Sequence, residues 1–94
     1  MQCNILELRW KEHIIEKIWL KHQVEPEEVE EVIYEDEDLE AVSYGSNRYL
    51  IRGQTLAGRY LLIVLEKESQ GDIVPITARD LTDREKSNLK RRRR

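Results

Sequence analysis

The sequence predicts an α+β fold, because the period of its hydrophobic pattern changes near the middle of the chain. The first half carries apolar residues at the spacing of one helical face, interrupted by a run of acidic residues. The second half carries four runs rich in β-branched and aromatic residues, joined by short connections. We therefore expect a short N-terminal strand, two helices, a four-stranded antiparallel meander and a C-terminal helix.

Alternation in the segment NILELRW, residues 4–10, predicts the short first strand. Residues 11–22 then place four apolar side chains on one face of a first helix: Ile14, Ile15, Ile18 and Trp19. Pro26 begins a second helix, since proline is tolerated in a first helical turn. Its narrow apolar stripe consists of Val29, Val32 and Ile33. We expect both tryptophans, Trp10 and Trp19, to lie in the core.

The second half contains four predicted strands and one further helix. The strands are LEAVSY, RYLIRGQT, RYLLIVLE and DIVPITAR, with GSN, LAG and KESQGD as the connections. Pro75 cannot donate a hydrogen bond to a neighbouring strand, so we expect it at a sheet edge or a bulge. Thr82 with Glu85 three residues later matches a capping box, which begins a helix that runs into the basic tail.

Composition favours one soluble domain, residues 1–94, with a basic tail at about residues 90–94. The chain has 94 residues and a net charge of −3, with 39% hydrophobic and 37% charged residues. Cys3 is its one cysteine, which fits a reducing cytoplasm rather than a disulfide framework. We find no signal peptide and no apolar run long enough to span a bilayer, and we expect a cytoplasmic protein without a membrane partner.

The net charge hides a partition of charge along the chain. Residues 25–40 contain ten acidic residues and no basic one. The rest of the chain holds sixteen lysines and arginines against nine acidic residues, a balance of +7. The field near a basic face matters more for binding than the total charge, so a nucleic-acid partner remains compatible with this sequence.

Five short motifs, taken in order, resemble the BrnT toxins of bacterial toxin–antitoxin pairs, which are small ribonucleases with a RelE-like fold. The motifs are Trp10, the pair Lys21–His22 followed by Val24, RYLIRG at 48–53, GRYL at 58–61, and ITAR at 76–79 with Thr82 and Glu85 behind it. The family usually has glycine after the Lys-His pair, where this chain has Gln23. The resemblance implies a hydrolase that cleaves RNA without a cofactor and is inhibited by a BrnA-like antitoxin.

Four residues are candidates for the chemistry of RNA cleavage: His22, Lys21, Arg59 and Arg79. Cleavage without a metal needs a base for the 2′-hydroxyl proton, an acid for the leaving oxygen and cations for the charged phosphorane. Histidine suits either proton transfer, and arginine binds phosphate through two parallel hydrogen bonds. Four further residues are candidates for binding the substrate: Arg48, Tyr49, Arg91 and Arg92.

Each candidate also has a purely structural interpretation. Lys21 and His22 suit a helix C-terminus, Arg59 suits an exposed turn, and Arg79 suits an ion pair with Glu85. The alternative function is therefore a non-catalytic module of the same fold that binds RNA or a protein. The spacing of cysteine and histidine matches no zinc site, and we expect neither metal nor cofactor. A homodimer and a hetero-oligomer with the antitoxin both remain open.

Overall fold

The protein forms one antiparallel sheet with helices on both faces, in a computed structural model that describes residues 7–92. The elements in chain order are α1 (Glu12–His22), α2 (Pro26–Glu35), β1 (Glu40–Tyr44), β2 (Arg48–Gln54), β3 (Tyr60–Lys67), β4 (Ile73–Asp80) and α3 (Asp83–Arg92). The strand order is β1-β2-β3-β4, with every neighbouring pair antiparallel. The predicted α+β architecture and its meander are confirmed.

Strand β3 is the centre of the protein, because both of its faces are buried. Leu61, Ile63 and Leu65 pack with the residues of α1 and α2. Leu62 and Val64 point to the opposite face, where they pack with Leu81 and with the α3 residue Leu89. A strand buried on both faces reads as a continuous apolar run, which explains the sequence LLIVL.

The predicted first strand is present in the described residues only as a single bridge. Leu8 pairs in parallel with Ile73, and the backbone N–H of Arg9 donates to the Ile73 carbonyl at 2.8 Å. Residues 4–6 of that prediction lie outside the described part of the chain. Trp10 packs against the core as expected, and its Nε1 donates to a Glu30 carboxylate oxygen at 3.0 Å.

The prediction that Trp19 belongs to the core is wrong, since this residue is 49% exposed. The buried positions of α1 are Ile14 and Ile18, which lie one turn apart. With that pair facing the sheet, the next residue lies about 100° around the helix axis. Trp19 therefore lies at the rim of the interface, beside the loop between β2 and β3.

Gly53 lets α2 approach β2 more closely than any larger residue would allow. A Cβ atom at this position would lie 2.6 Å from Val32 Cγ1 and 2.9 Å from Asp36 Oδ2. The same Asp36 oxygen accepts a hydrogen bond from the backbone N–H of Gln54 at 2.8 Å. The C-terminal end of α2 is thus fixed to the sheet by a hydrogen bond from the β2 backbone.

Pro75 lies both on an edge strand and beside a bulge, as predicted. Val64 pairs with Thr77 while Leu65 pairs with Pro75, so one residue of β4 is extra at this point. Beyond the bulge, Arg79 pairs with Leu62 and faces α3, whereas Asp80 pairs with Leu61 and faces α1 and α2. The bulge therefore determines that the Arg79 side chain lies on the α3 face of the sheet and the Asp80 side chain on the α1 and α2 face.

Among residues 7–92, no helix combines the length and the apolar character that crossing a bilayer requires.

Helix α1 ends at Gln23 in the left-handed conformation, with φ 53° and ψ 41°. Glycine adopts this conformation without steric cost, while a residue with a Cβ atom is strained there. We expect Gln23→Gly to raise the free energy of unfolding by about 1 kcal/mol, measured by urea titration. Gln23→Ala is the control, because it removes the amide but keeps the Cβ atom. Equal stability of the two variants would contradict strain at this position.

Candidate functional site

All five N–H donors of the Arg59 guanidinium are engaged within the protein. Nε and Nη2 donate to the two carboxylate oxygens of Asp80, at 2.7 and 3.1 Å. Nη1 donates to Glu28 Oε1 at 2.9 Å and to the Gln23 carbonyl at 2.8 Å. The last donor on Nη2 reaches the His22 carbonyl at 3.0 Å. Arg59 thus joins the end of α1, the start of α2 and the end of β4.

The electrostatics around Arg59 reflect this pairing. Hydrogen bonding to Asp80, and then to Glu28, raises the pKa of Arg59 above its ordinary value. The Arg59 guanidinium in turn lowers the pKa of Asp80, with smaller contributions from Lys86 and His22. One cation shared by two carboxylates leaves a local charge of −1. Arg59 in this arrangement does not present a free positive charge to a phosphate.

His22 and Lys21 form the end of α1, next to this cluster. The His22 side chain is half-buried and close enough to Asp80 to affect its pKa, while Lys21 is exposed. Lys86, on the first turns of α3, approaches Asp80 as well. Sequence reasoning overlooked Lys86, because its proximity to Asp80 depends on how α3 folds back beside the end of β4. The structure therefore gathers an imidazole and a lysine around the carboxyl end of β4.

Arg79 forms a bidentate pair with Glu85, as the sequence suggested. Nη1 and Nη2 donate to the two Glu85 oxygens at 2.9 and 3.0 Å. Glu85 also accepts from the backbone N–H of Thr82 at 2.8 Å, and the Thr82 hydroxyl accepts from the Glu85 N–H at 3.2 Å. The capping box is thus confirmed, and it joins the first turn of α3 to β4.

Arg48 and Tyr49 lie at the other end of the sheet from Arg59. Arg48 pairs in register with Glu66, six residues along β3 from Tyr60, which is a separation of about 20 Å. Its guanidinium contacts the Glu66 carboxylate at 3.1 Å. Tyr49 packs against the core on the α1 and α2 face. The structure does not bring these two residues to the end of β4.

Two of the basic residues at the end of α3, Lys90 and Arg92, contact other parts of the protein. Arg92 Nη2 donates a hydrogen bond to the Glu40 carboxylate at 2.9 Å, and the same carboxylate accepts a hydrogen bond from Arg52 Nη1 at 2.9 Å. The hydrogen bond from Arg92 is the main cause that lowers the pKa of Glu40. Arg91 contacts Asn88 and stays exposed, while Lys90 lies 5.3 Å above the Tyr60 ring. Residues 93–94 of the predicted tail lie outside the described part.

Across residues 7–92, no three histidine, cysteine or acidic side chains are grouped in a way that could hold a metal ion.

The pair of Arg79 and Glu85 predicts an acid-dependent loss of stability. Arg79 first, and the Thr82 N–H second, lower the pKa of Glu85 from 4.5 to about 2. A carboxyl with a lowered pKa stabilises the folded state above its ordinary pKa, and this contribution is lost as the pH falls from about 4.5 to about 2. We expect Glu85→Gln to have a lower melting temperature than the wild type at pH 7, and we expect this difference in melting temperature to shrink as the pH approaches 2. Glu37→Gln, in an exposed turn, is the control, and a gap independent of pH would refute this assignment.

Comparison with known proteins gives a structural match and no sequence match. No protein-family model matches the chain, and no curated protein matches it. Among solved structures, the fold is similar to that of BrnT, a ribonuclease toxin from Brucella abortus, with a TM-score of 0.66 and 11% sequence identity. The match covers 84% of this chain and 100% of the other. The predicted BrnT-like fold is confirmed.

Proposed function

We propose that this protein is the toxin of a type II toxin–antitoxin pair, an endoribonuclease that works without a metal. The main support is the likeness to the BrnT ribonuclease toxin, which extends over that whole chain. In the proposed reaction the 2′-hydroxyl of the RNA attacks the adjacent phosphorus, and the bond from phosphorus to the 5′-oxygen breaks. A bacterial cytoplasm and a BrnA-like antitoxin partner belong to the same proposal.

His22 is the residue that we propose for proton transfer. An imidazole can take the 2′-hydroxyl proton or protonate the leaving 5′-oxygen. Two features support this role: the imidazole is half-buried at the end of α1, and it lies near the Asp80 carboxylate. Arg59 is then a positioning residue, since it holds the His22 carbonyl rather than the substrate.

Lys21 and Lys86 are the cations that we propose for stabilising the charged phosphorane. Lys86 acts on Asp80 at the end of β4, and Lys21 precedes His22 in the last turn of α1; neither has the bidentate carboxylate pairing that the arginines have. Arg79 can contribute only after it exchanges the Glu85 carboxylate for a phosphate oxygen. That exchange is chemically reasonable, because both groups accept the same two parallel hydrogen bonds from a guanidinium.

A second candidate function, a non-catalytic binding module, is favoured by one specific observation. Both arginines that the sequence suggested for the chemistry are paired with carboxylates in the folded protein. Structural roles alone would account for those pairs. The two functions differ in whether purified protein breaks the RNA that it binds.

The enzymatic proposal predicts cleavage of single-stranded RNA in excess EDTA, because side chains alone carry the proposed chemistry. His22→Gln should lower the rate by about 10²–10⁴-fold and flatten one limb of the pH–rate profile. Arg79→Ala should lower it by about 10²–10³-fold if the phosphate exchange occurs. The rates are measured with an end-labelled oligonucleotide, and folding of each variant is verified by circular dichroism.

The matched control is His13→Gln, which makes the same change at the exposed face of α1 and should leave the rate unchanged. An oligonucleotide without 2′-hydroxyls should bind and remain intact, because it lacks the nucleophile. Binding of RNA without any cleavage would leave the binding module as the function. Equal rates for the wild type and His22→Gln would remove His22 from the chemistry.

A further inference from the structure

Strand β1 is an edge that no described residue covers. The sheet begins at β1, and none of residues 7–92 pairs with its outer side. The opposite edge, β4, is partly covered by the Leu8 bridge and by the contact of the α1 residue Lys17 with the Ile76 carbonyl. An edge strand offers unpaired backbone N–H and C=O groups, and these form a template for another strand.

Three of the usual devices that block an edge are missing from β1, which is short and begins with the charged residue Glu40. The strand EAVSY contains no lysine and no proline, and its ladder with β2 runs without a bulge from Glu40 to Tyr44. Val42 and Tyr44 are 47% and 45% exposed. Large apolar side chains at an open edge indicate a surface that another chain covers.

An apolar depression of about 550 Å³ lies beside β1 on the face of the sheet that packs with α1 and α2. Its volume falls in the range of about 300–1,000 Å³ that is typical of ligand clefts. Ala41 stands at its rim, next to Ile51 in the ladder. The depression is lined mainly by Ile33, Leu39, Tyr49, Ile51, Leu65 and Ile73.

A polar depression of about 380 Å³ lies on the opposite face of the same strand. Glu40 and Val42 form its β1 side, and Arg52, Glu85 and Arg92 line the rest with charges of both signs. Successive side chains of a strand point to opposite faces. A strand added to β1 would therefore place alternate side chains over an apolar and a polar depression.

We propose that β1 binds an extended segment of a protein partner by strand addition. The segment carries large apolar side chains at alternate positions, which fill the 550 Å³ depression. It carries lysine or arginine at the end that lies beside the exposed acidic residues Glu37 and Asp38. Identifying this partner with the antitoxin rests on the proposed function, whereas the surface itself is independent of it.

A second copy of the chain is a poorer occupant for this edge. The β1 side chains that face the apolar depression are Ala41 and Ser43, since they pair with Ile51 and Tyr49. These two side chains are too small to fill a depression of about 550 Å³. A partner with longer apolar side chains matches the site better.

The test uses a synthetic peptide and the full-length protein labelled for NMR. The peptide has leucine at positions two, four and six, threonine between them and lysine at both ends. We expect the amides of residues 41–44 that point away from β2 to exchange at least tenfold more slowly in millimolar peptide, with shifts in the methyl signals of Ile33, Leu39 and Ile51. A control peptide with threonine in place of leucine should bind at least tenfold more weakly.

Two variants separate this site from other apolar surfaces. Ala41→Phe places a ring at the rim of the depression and should weaken peptide binding at least tenfold. Ala57→Phe makes the same change in the exposed loop between β2 and β3 and should bind as the wild type does. Equal binding by Ala41→Phe, shifts confined to another surface, or no binding at millimolar peptide would overturn the proposal.

Other occupants give distinct results. A dimer in analytical sedimentation, together with slow amide exchange at 41–44, would assign the edge to a second copy of the chain. NMR contacts from residues 1–6 to the depression would assign the edge to the chain itself. Either result overturns the proposal. Peptide binding without RNA cleavage would support strand addition at β1 and contradict the enzymatic proposal. RNA cleavage without peptide binding would contradict only strand addition at β1.

Discussion

The hydrogen bonds of Arg59 are the constraint on which the arrangement of α1 and α2 against the sheet depends. A helix C-terminus leaves backbone carbonyls without partners, and two of these, at His22 and Gln23, accept from Arg59. The same guanidinium holds one carboxylate at the start of α2 and another at the end of β4, those of Glu28 and Asp80. Without Arg59 the two carboxylates would repel each other, and the carbonyls would lose their donors.

This arrangement changes what the candidate site can do. Arg59 holds the His22 backbone carbonyl but has no donor left for a substrate. In the proposed enzyme, charge stabilisation for an RNA phosphate would depend on Lys21, Lys86 and an exchange at Arg79. The BrnT-like fold is thus compatible with an enzyme that uses Lys86 in place of the Arg59 that the motifs suggest. It is equally compatible with a non-catalytic binding module.

Local patterns in the sequence predicted the parts of this structure that local contacts determine. The capping box joins Thr82 and Glu85, which are three residues apart, and the place of Pro75 at an edge and a bulge follows from its own missing N–H. The role of Arg59 did not, because its partners lie 21 to 37 residues away and only the fold brings them together. The exposure of Trp19 was missed for a related reason: periodicity gives a helical face but not its exact rotation against the sheet.

The most direct test of the central claim is the free energy of unfolding of Arg59→Lys, measured by urea titration at neutral pH. Lysine keeps the positive charge but offers three donors on one nitrogen, which cannot reach two carboxylates and two carbonyls together. The account predicts a loss of about 2 kcal/mol, the scale of one or more charge-assisted hydrogen bonds. A variant within about 0.5 kcal/mol of the wild type would show that charge alone suffices, contradicting the role of the five hydrogen bonds.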